Sequence, residues 1–108
     1  MKILDLVQKT KWFDMVERGE KPEEYRAASP YWIKRFTGID QFGILPFSFR
    51  NGYQKINQKG YTHVRLHRAY TKTTMLFELN DIVYGYGNAS LGAWDEKLFI
   101  LKLGKRVQ

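Results

Sequence analysis

The chain has 108 residues, of which 44% are hydrophobic and 16% aromatic, a composition that supports one buried core and argues against a disordered protein. It contains no cysteine, which excludes a disulfide framework and thiolate chemistry, and its formal net charge is +7. The N-terminal apolar run at residues 3–7 is interrupted by Asp5 and is too short for a signal peptide or a membrane span. We therefore expect a cytoplasmic protein with one domain over residues 1–108 and no membrane partner.

The positive charge is concentrated in the middle of the chain. Residues 30–75 hold eight Lys or Arg side chains against Asp40 alone, whereas residues 1–29 hold six basic and six acidic side chains. An excess confined to one segment can form a surface patch that attracts polyanions such as nucleic acid. The alternative is a generic basic surface that only maintains solubility.

The first predicted elements are a strand over residues 2–7 and a short helix over residues 10–18. Thr10 is the expected N-cap of this helix, and the apolar residues Trp12, Phe13, Met15 and Val16 form its stripe. Gly19 is able to adopt the left-handed conformation that ends a helix. So short a helix is marginal alone, and we expect packing to hold it in place.

A charged corner follows the helix. Pro22 favours an extended conformation at Lys21, and a strand is predicted from Glu23 to Ala27. Alternation on that strand places Glu24 and Arg26 on one face, where Lys21 is able to join them. We expect the Lys21 ammonium to stay near water, because a long side chain can extend its charged end to the surface. The alternative is a buried ion-pair network that fixes the fold.

The spacing of these residues is the pattern GxKxxExR, with Gly19, Lys21, Glu24 and Arg26 at its four positions. Together with the helix before it, this motif resembles the ASCH domain family, a branch of the PUA-like barrels. The segments Phe49–Tyr53 and Leu98–Gly104 support the resemblance, which covers essentially the whole chain. It implies a small β-barrel with flanking helices, and RNA or nucleotide ligands bound in a cleft that the motif lines.

The rest of the chain predicts further strands and one more helix. Ser29 and Pro30 are typical of a helix start, and the helix is expected to reach about Phe36. Alternation predicts strands near residues 47–50, 61–70 and 73–83, and the apolar run at residues 98–103 predicts a buried central strand. Five or six strands with two short helices indicate an α+β fold, as a small, partly closed PUA-like barrel.

Two sets of residues are candidates for ligand contacts. The cleft set contains three motif residues, Lys21, Glu24 and Arg26. The resemblance places a second segment in the cleft, which adds Arg50, Asn51 and Tyr53. The patch expected to bind nucleic acid contains Lys55, Lys59, Arg65, Arg68 and Lys72. We predict no cofactor and no metal, because His63 and His67 lie on a predicted strand and lack a third ligand at suitable spacing.

Two functions remain open from the sequence. The first is a module that binds RNA or a nucleotide, with Lys and Arg contacting phosphate and Glu24 accepting from a base amino group. The second is a hydrolase similar to the N-acetylcytidine amidohydrolases or ribonucleases proposed for some family members, with Lys21, Glu24 and Glu78 as catalytic residues. Glu24 stands where amidohydrolase members have a threonine, and Glu78 is either exposed or points inward to pair with Lys21 or Arg26.

Overall fold

The computed structural model describes residues 1–39 and 55–108 of the protein. Within these ranges the chain forms five strands, two α-helices and one short 3-10 helix. The elements are β1 (Ile3–Gln8), α1 (Thr10–Glu17), β2 (Glu23–Arg26), α2 (Pro30–Thr37), β3 (His63–Arg68), β4 (Thr74–Gly85), the 3-10 helix (Ala89–Leu91) and β5 (Leu98–Arg106). The fold class is α+β with a mixed sheet and two short helices, as predicted, while the strand predicted near residues 47–50 lies outside the described residues. Neither α-helix in the described ranges is long and apolar enough to cross a membrane.

The strands form one mixed sheet in the order β1-β3-β4-β5-β2. β1 pairs with β3 in parallel, with Leu4 opposite Val64, and β3 pairs with β4 in antiparallel register, with Val64 opposite Phe77. β1 and β2 stand at opposite ends of this order, yet Gln8 on β1 donates a buried hydrogen bond to Glu24 on β2. The two end strands therefore approach each other, as the predicted small barrel requires.

The predicted end of α1 at Gly19 and the predicted start of α2 at Ser29 agree with the structure, and the predicted N-cap of α1 differs from it. Lys9 rather than Thr10 is the N-cap of α1, and no side chain caps that end, so Thr10 is already helical. Gly19 has φ of +78° and follows the last turn of α1, as predicted. Ser29 caps α2, because its Oγ accepts from the Trp32 amide at 3.5 Å, and Gly38 ends that helix with φ of +76°.

Contacts divide the chain into two compact units. The first unit comprises Met1–Glu24, Tyr61–Asp81 and Leu101–Gln108, and the second comprises Tyr25–Gly60 and Ile82–Ile100. Buried apolar side chains form a core in each. Those of the first unit include Leu4, Leu6, Phe13, Val16, Val64, Leu66, Met75 and Leu101, and those of the second include Ile33, Phe36, Leu98, Phe99 and Ile100. Alternation on β1 and β3 selects the inward side chains, as expected for strands, whereas β4 buries three consecutive side chains, Met75, Leu76 and Phe77.

Tyr25 on β2 holds in place the turn that follows β4, which contains Gly87 and Asn88. Its ring packs in a buried cluster with Ala93, Leu98 and Ile100. Its hydroxyl oxygen accepts from the Asn88 amide at 3.0 Å. A Cβ atom added at Gly87 would lie 2.5 Å from the Tyr25 ring, so the chain passes too close for a side chain there.

Replacing Gly87 with alanine tests this close approach. We expect Gly87→Ala to lower the free energy of unfolding by roughly 1–3 kcal/mol, because the new methyl group must displace the buried Tyr25 ring. Gly85→Ala is the matched control, since a Cβ atom at Gly85 meets nothing within 4 Å. Chemical denaturation of both variants checks the prediction, and equal stabilities would contradict it.

Candidate functional site

The motif lysine and glutamate form a buried ion pair. Lys21 Nζ lies 3.6 Å from Glu24 Oε1, and the two side chains are 1% and 6% exposed. The end of α1 at Gly19 and the turn at Pro22 bring Lys21 back beneath the helix. There its ammonium lies 5.4 Å from the centroid of the Trp12 ring, which gives it a cation–π partner.

The expectation that the Lys21 ammonium stays near water is wrong. The ammonium is covered because the corner directs its side chain toward Trp12 and Glu24 rather than out to the surface. Removing an ammonium and a carboxylate from water costs several kcal/mol each, and the pair is stable only if each partner compensates the other. Truncating Lys21 would therefore disturb the fold as well as any ligand contact.

Gln8 is a third member of this cluster, and the sequence analysis missed it. Its Nε2 donates to Glu24 Oε2, and the residue is 3% exposed. Its Oε1 is buried and has no hydrogen-bond partner among the described residues. The signal was present in the sequence, because Gln8 continues the alternation of Leu4 and Leu6 and therefore faces the core.

Arg26 belongs to the second unit and contacts other residues of that unit. Its Nη1 donates to the Tyr25 carbonyl at 2.7 Å, and its Cζ lies 5.3 Å from the Trp32 ring centroid. The structure therefore brings Lys21 and Glu24 together as predicted, and it places the motif arginine against the first turn of α2. The predicted contacts at Arg50, Asn51 and Tyr53 lie outside the described residues.

The predicted patch has two arginines that pair with carboxylates of the first unit. Arg68 Nε donates to Asp14 Oδ1 at 3.0 Å, and Arg65 Nη1 lies 3.4 Å from Asp5 Oδ1. These aspartates belong to the N-terminal segment, whose charges balance when they are counted along the sequence. The positive charge that was counted for residues 30–75 is therefore partly neutralised on β3 in the folded protein.

The other predicted residues are exposed. Lys72 lies in the turn between β3 and β4, while Lys55 and Lys59 belong to the second unit. The Lys59 amide donates to the Phe36 carbonyl at 3.0 Å, so this segment is joined to α2. Glu78 lies on β4 opposite His63, and its side chain is exposed. The structure therefore agrees with the exposed position predicted for Glu78 and not with the inward one.

The two histidines make separate contacts. His67 Nε2 lies 2.8 Å from Asp5 Oδ1, and His63 Nδ1 lies 2.8 Å from the Thr62 hydroxyl. In the part of the chain that the structure describes, no three His, Asp or Glu side chains converge as a metal site.

Comparisons of the chain with models of protein families, with curated proteins and with solved structures found no match. The resemblance to the ASCH domain family thus stays a prediction from the GxKxxExR motif. The geometry shows a buried Lys21–Glu24 pair, beside it an amide oxygen of Gln8 that has no hydrogen-bond partner in the described part of the chain, and two guanidinium groups near the Trp32 ring.

The buried pair predicts a strong dependence of each partner on the other. We expect Lys21→Met to lower the free energy of unfolding by about 3–5 kcal/mol, because it leaves the Glu24 carboxylate buried without its ammonium. Adding Glu24→Gln to Lys21→Met should restore most of that loss, since the amide carries no charge. Urea denaturation of both variants measures the difference, and a double variant less stable than Lys21→Met would contradict the pairing.

The Asp14–Arg68 pair predicts a pH effect. The hydrogen bond from the Arg68 guanidinium lowers the pKa of the Asp14 carboxyl below its ordinary value of 3.8. Because the folded-state pKa is the lower one, the pair stabilises the fold above pH 3.8 and loses its effect as the pH falls through the lowered value. We expect Arg68→Ala to raise the pKa of Asp14 toward its ordinary value in an NMR titration. Arg65→Ala, whose partner is Asp5, should leave the Asp14 titration unchanged.

Proposed function

We propose that the protein binds RNA or a nucleotide in a basic cleft built on the GxKxxExR motif. The observation that carries this proposal is the Oε1 of Gln8, which has no hydrogen-bond partner among residues 1–39 and 55–108 and lies beside the buried Lys21–Glu24 pair. A buried polar group without a partner costs about 1–3 kcal/mol, so native proteins retain few of them. A ligand that donates a hydrogen bond would remove that cost.

The chemistry of the cluster suits a nucleobase. Glutamate and glutamine side chains recognise base edges, glutamate by accepting from the amino group of cytosine. An N–H group of an unstacked base can supply the donor that Gln8 Oε1 lacks. The ammonium of Lys21 offers a positive charge at the same cluster, which suits a base carbonyl or a phosphate oxygen.

The net charge of the protein supports an anionic ligand. The formal net charge is +7, and phosphates are attracted to such a protein before any specific contact forms. Arg26 belongs to the motif and can offer a guanidinium to a phosphate. The contacts expected at Arg50, Asn51 and Tyr53 are part of the same proposal.

Hydrolysis has less support than binding. Activation of water requires a carboxylate that is free to take a proton, whereas Glu24 lies against the Lys21 ammonium and accepts a hydrogen bond from Gln8. Glu78 is exposed on β4, which suits a solvated surface residue as well as a catalytic one. RNA or nucleotide binding is therefore the function we propose.

Salt dependence tests the electrostatic part of the proposal. If single-stranded RNA contacts four or five phosphate-binding cations, the logarithm of the affinity should fall against the logarithm of the salt concentration with a slope of roughly −3, at about 0.7 per phosphate. Fluorescence anisotropy of a labelled oligouridine measures this slope. An affinity that does not change with salt would reject a phosphate-binding surface.

A pair of double variants tests the motif itself. We expect Lys21→Met with Glu24→Gln to remain folded and to lose at least about tenfold in affinity, since one charge-assisted contact contributes about 1.5–3 kcal/mol. The control is Lys102→Met with Glu23→Gln, which removes an ion pair of 2.6 Å between β5 and β2 and makes the same chemical changes. If both double variants bind as the parent does, the motif is structural and the ligand binds elsewhere.

A further inference from the structure

Four exposed side chains lie at one end of the first unit. They belong to the start of α1 and to the turn between β3 and β4, and they are Lys9, Lys11, Tyr70 and Lys72. We call them the turn surface. The Ala69 amide donates to the Gln8 carbonyl at 2.7 Å, which places the turn against the segment that enters α1. The sequence analysis assigned a ligand role only to Lys72.

The turn is held in one conformation by its own hydrogen bonds. The Thr71 hydroxyl donates to the Arg68 carbonyl at 2.6 Å, and the Arg68 amide donates to the Thr73 carbonyl at 2.9 Å. Ala69 has φ of +49°, and no other non-glycine residue in the described ranges has a positive φ. Such a conformation costs free energy, persists only where the surrounding contacts impose it, and is concentrated at functional sites. The backbone that carries Tyr70 is therefore fixed.

Tyr70 is the most exposed large hydrophobic side chain among residues 1–39 and 55–108. It is 95% exposed, and within these ranges it has no hydrogen-bond or ring partner. Tyr86 is also exposed, but Lys97 Nζ already lies 6.0 Å from the centroid of its ring. A tyrosine that packs against nothing contributes little to the core, whereas both faces of its ring are open to an unpaired base.

The positive charges of the turn surface are not balanced by the fold. Residues 1–29 hold equal numbers of basic and acidic side chains, but three of the carboxylates form ion pairs with cations from outside this segment: Asp5, Asp14 and Glu23. Lys9, Lys11 and Lys72 pair with no carboxylate in the described part of the chain, and the first turn of α1 contains no acidic residue. Three ammonium groups at one end of the unit are complementary to the phosphates of a polyanion.

The turn surface adjoins the motif cluster through two residues. Gln8 directly precedes Lys9, and its side chain belongs to the cluster. The centroid of the Trp12 ring lies 4.7 Å from Lys11 Nζ and 5.4 Å from Lys21 Nζ. A chain of nucleotides bound at the cluster can therefore continue onto the turn surface within the first unit.

We propose that the turn surface binds single-stranded RNA, with one unpaired base stacked on Tyr70 and the neighbouring phosphates bound by the lysines. This inference rests on the proposed function and deepens it, because it names a single strand of several nucleotides as the ligand. Bases stack on protein side chains only when they are unpaired. A duplex therefore offers phosphates to Lys9, Lys11 and Lys72 but no base face to Tyr70.

The first test uses the full chain and fluorescein-labelled decauridine, with anisotropy as the readout at low salt. We expect Tyr70→Ala to weaken binding about tenfold, because one base stacked on an aromatic ring contributes that much, and Tyr70→Phe to bind within about twofold of the parent. Tyr86→Ala removes an exposed tyrosine of the second unit and should bind as the parent does. If Tyr70→Ala binds as Tyr86→Ala does, no base stacks on Tyr70 and the inference is wrong.

The second test measures the salt dependence of the same binding. We expect Lys9→Gln with Lys11→Gln to make the slope of log affinity against log salt shallower by about 1.4, at about 0.7 per lost phosphate contact. The control is Lys34→Gln with Lys105→Gln, which removes the same charge from exposed positions on α2 and β5 and should leave the slope unchanged. Equal slopes for the two double variants would contradict the phosphate contacts.

Two further ligands separate single-stranded RNA from other partners. An RNA duplex of ten base pairs should bind Tyr70→Ala and the parent equally, since its bases are paired. Vesicles that contain phosphatidylserine test whether the lysines and Tyr70 bind an anionic membrane surface instead. Vesicle binding should not depend on Tyr70. If Tyr70→Ala loses affinity for vesicles and keeps it for decauridine, the inference is wrong.

The outcomes separate this inference from the proposed function. If Lys21→Met with Glu24→Gln abolishes binding while the turn-surface variants bind as their controls do, the inference is wrong and the motif site stands. If only the turn-surface variants lose affinity, Tyr70 and the lysines bind the RNA and the motif is structural. A parent protein that does not bind decauridine would overturn both. The substituted side chains of the turn surface are exposed, so melting curves of these variants should match that of the parent.

Discussion

The buried pairing of Lys21 with Glu24 is the constraint on which the first unit depends. An ammonium and a carboxylate are withdrawn from water, so each requires the other to stay in place. Gln8 joins them from β1, and Trp12 covers the ammonium from α1. The N-terminal strand, the first helix and β2 are thus connected through one polar cluster, which also brings the two end strands of the sheet together.

Most of the fold could be predicted from local patterns. Alternation along β3 and β4 and the apolar run of β5 identify strands without reference to the rest of the chain. Ser29 and Pro30 mark the start of α2, and Gly19 marks the end of α1, because each satisfies a backbone requirement that few residues meet. The wrong N-cap at Thr10 shows the limit of this reasoning, since the composition of a helix start fixes its boundary only to within a residue or two.

The site was less predictable, because its properties depend on residues that are distant in the sequence. The burial of Lys21 depends on where the ring of Trp12 lies, and alternation alone cannot give that position. For the same reason, the count of Lys and Arg in residues 30–75 overestimated the positive charge on β3, where Arg65 and Arg68 pair with aspartates. Asp5 and Asp14 lie more than fifty residues before their arginine partners, with separations of 60 and 54. The course of Arg26 toward Trp32 likewise follows from the placement of α2, which the motif spacing does not encode.

The parallel pairing of β1 with β3 has a consequence for folding during synthesis. Ile3 pairs with His63 and Gln8 with Arg68, so β1 has to wait about 60 residues for its only neighbour in the described sheet order. During translation at about 5–20 residues per second, this apolar strand remains unpaired for several seconds. A charge at its centre discourages pairing with other nascent chains, and Asp5 provides one. The same carboxylate later binds His67 and Arg65, and thus protects the unfinished chain before it stabilises the finished one.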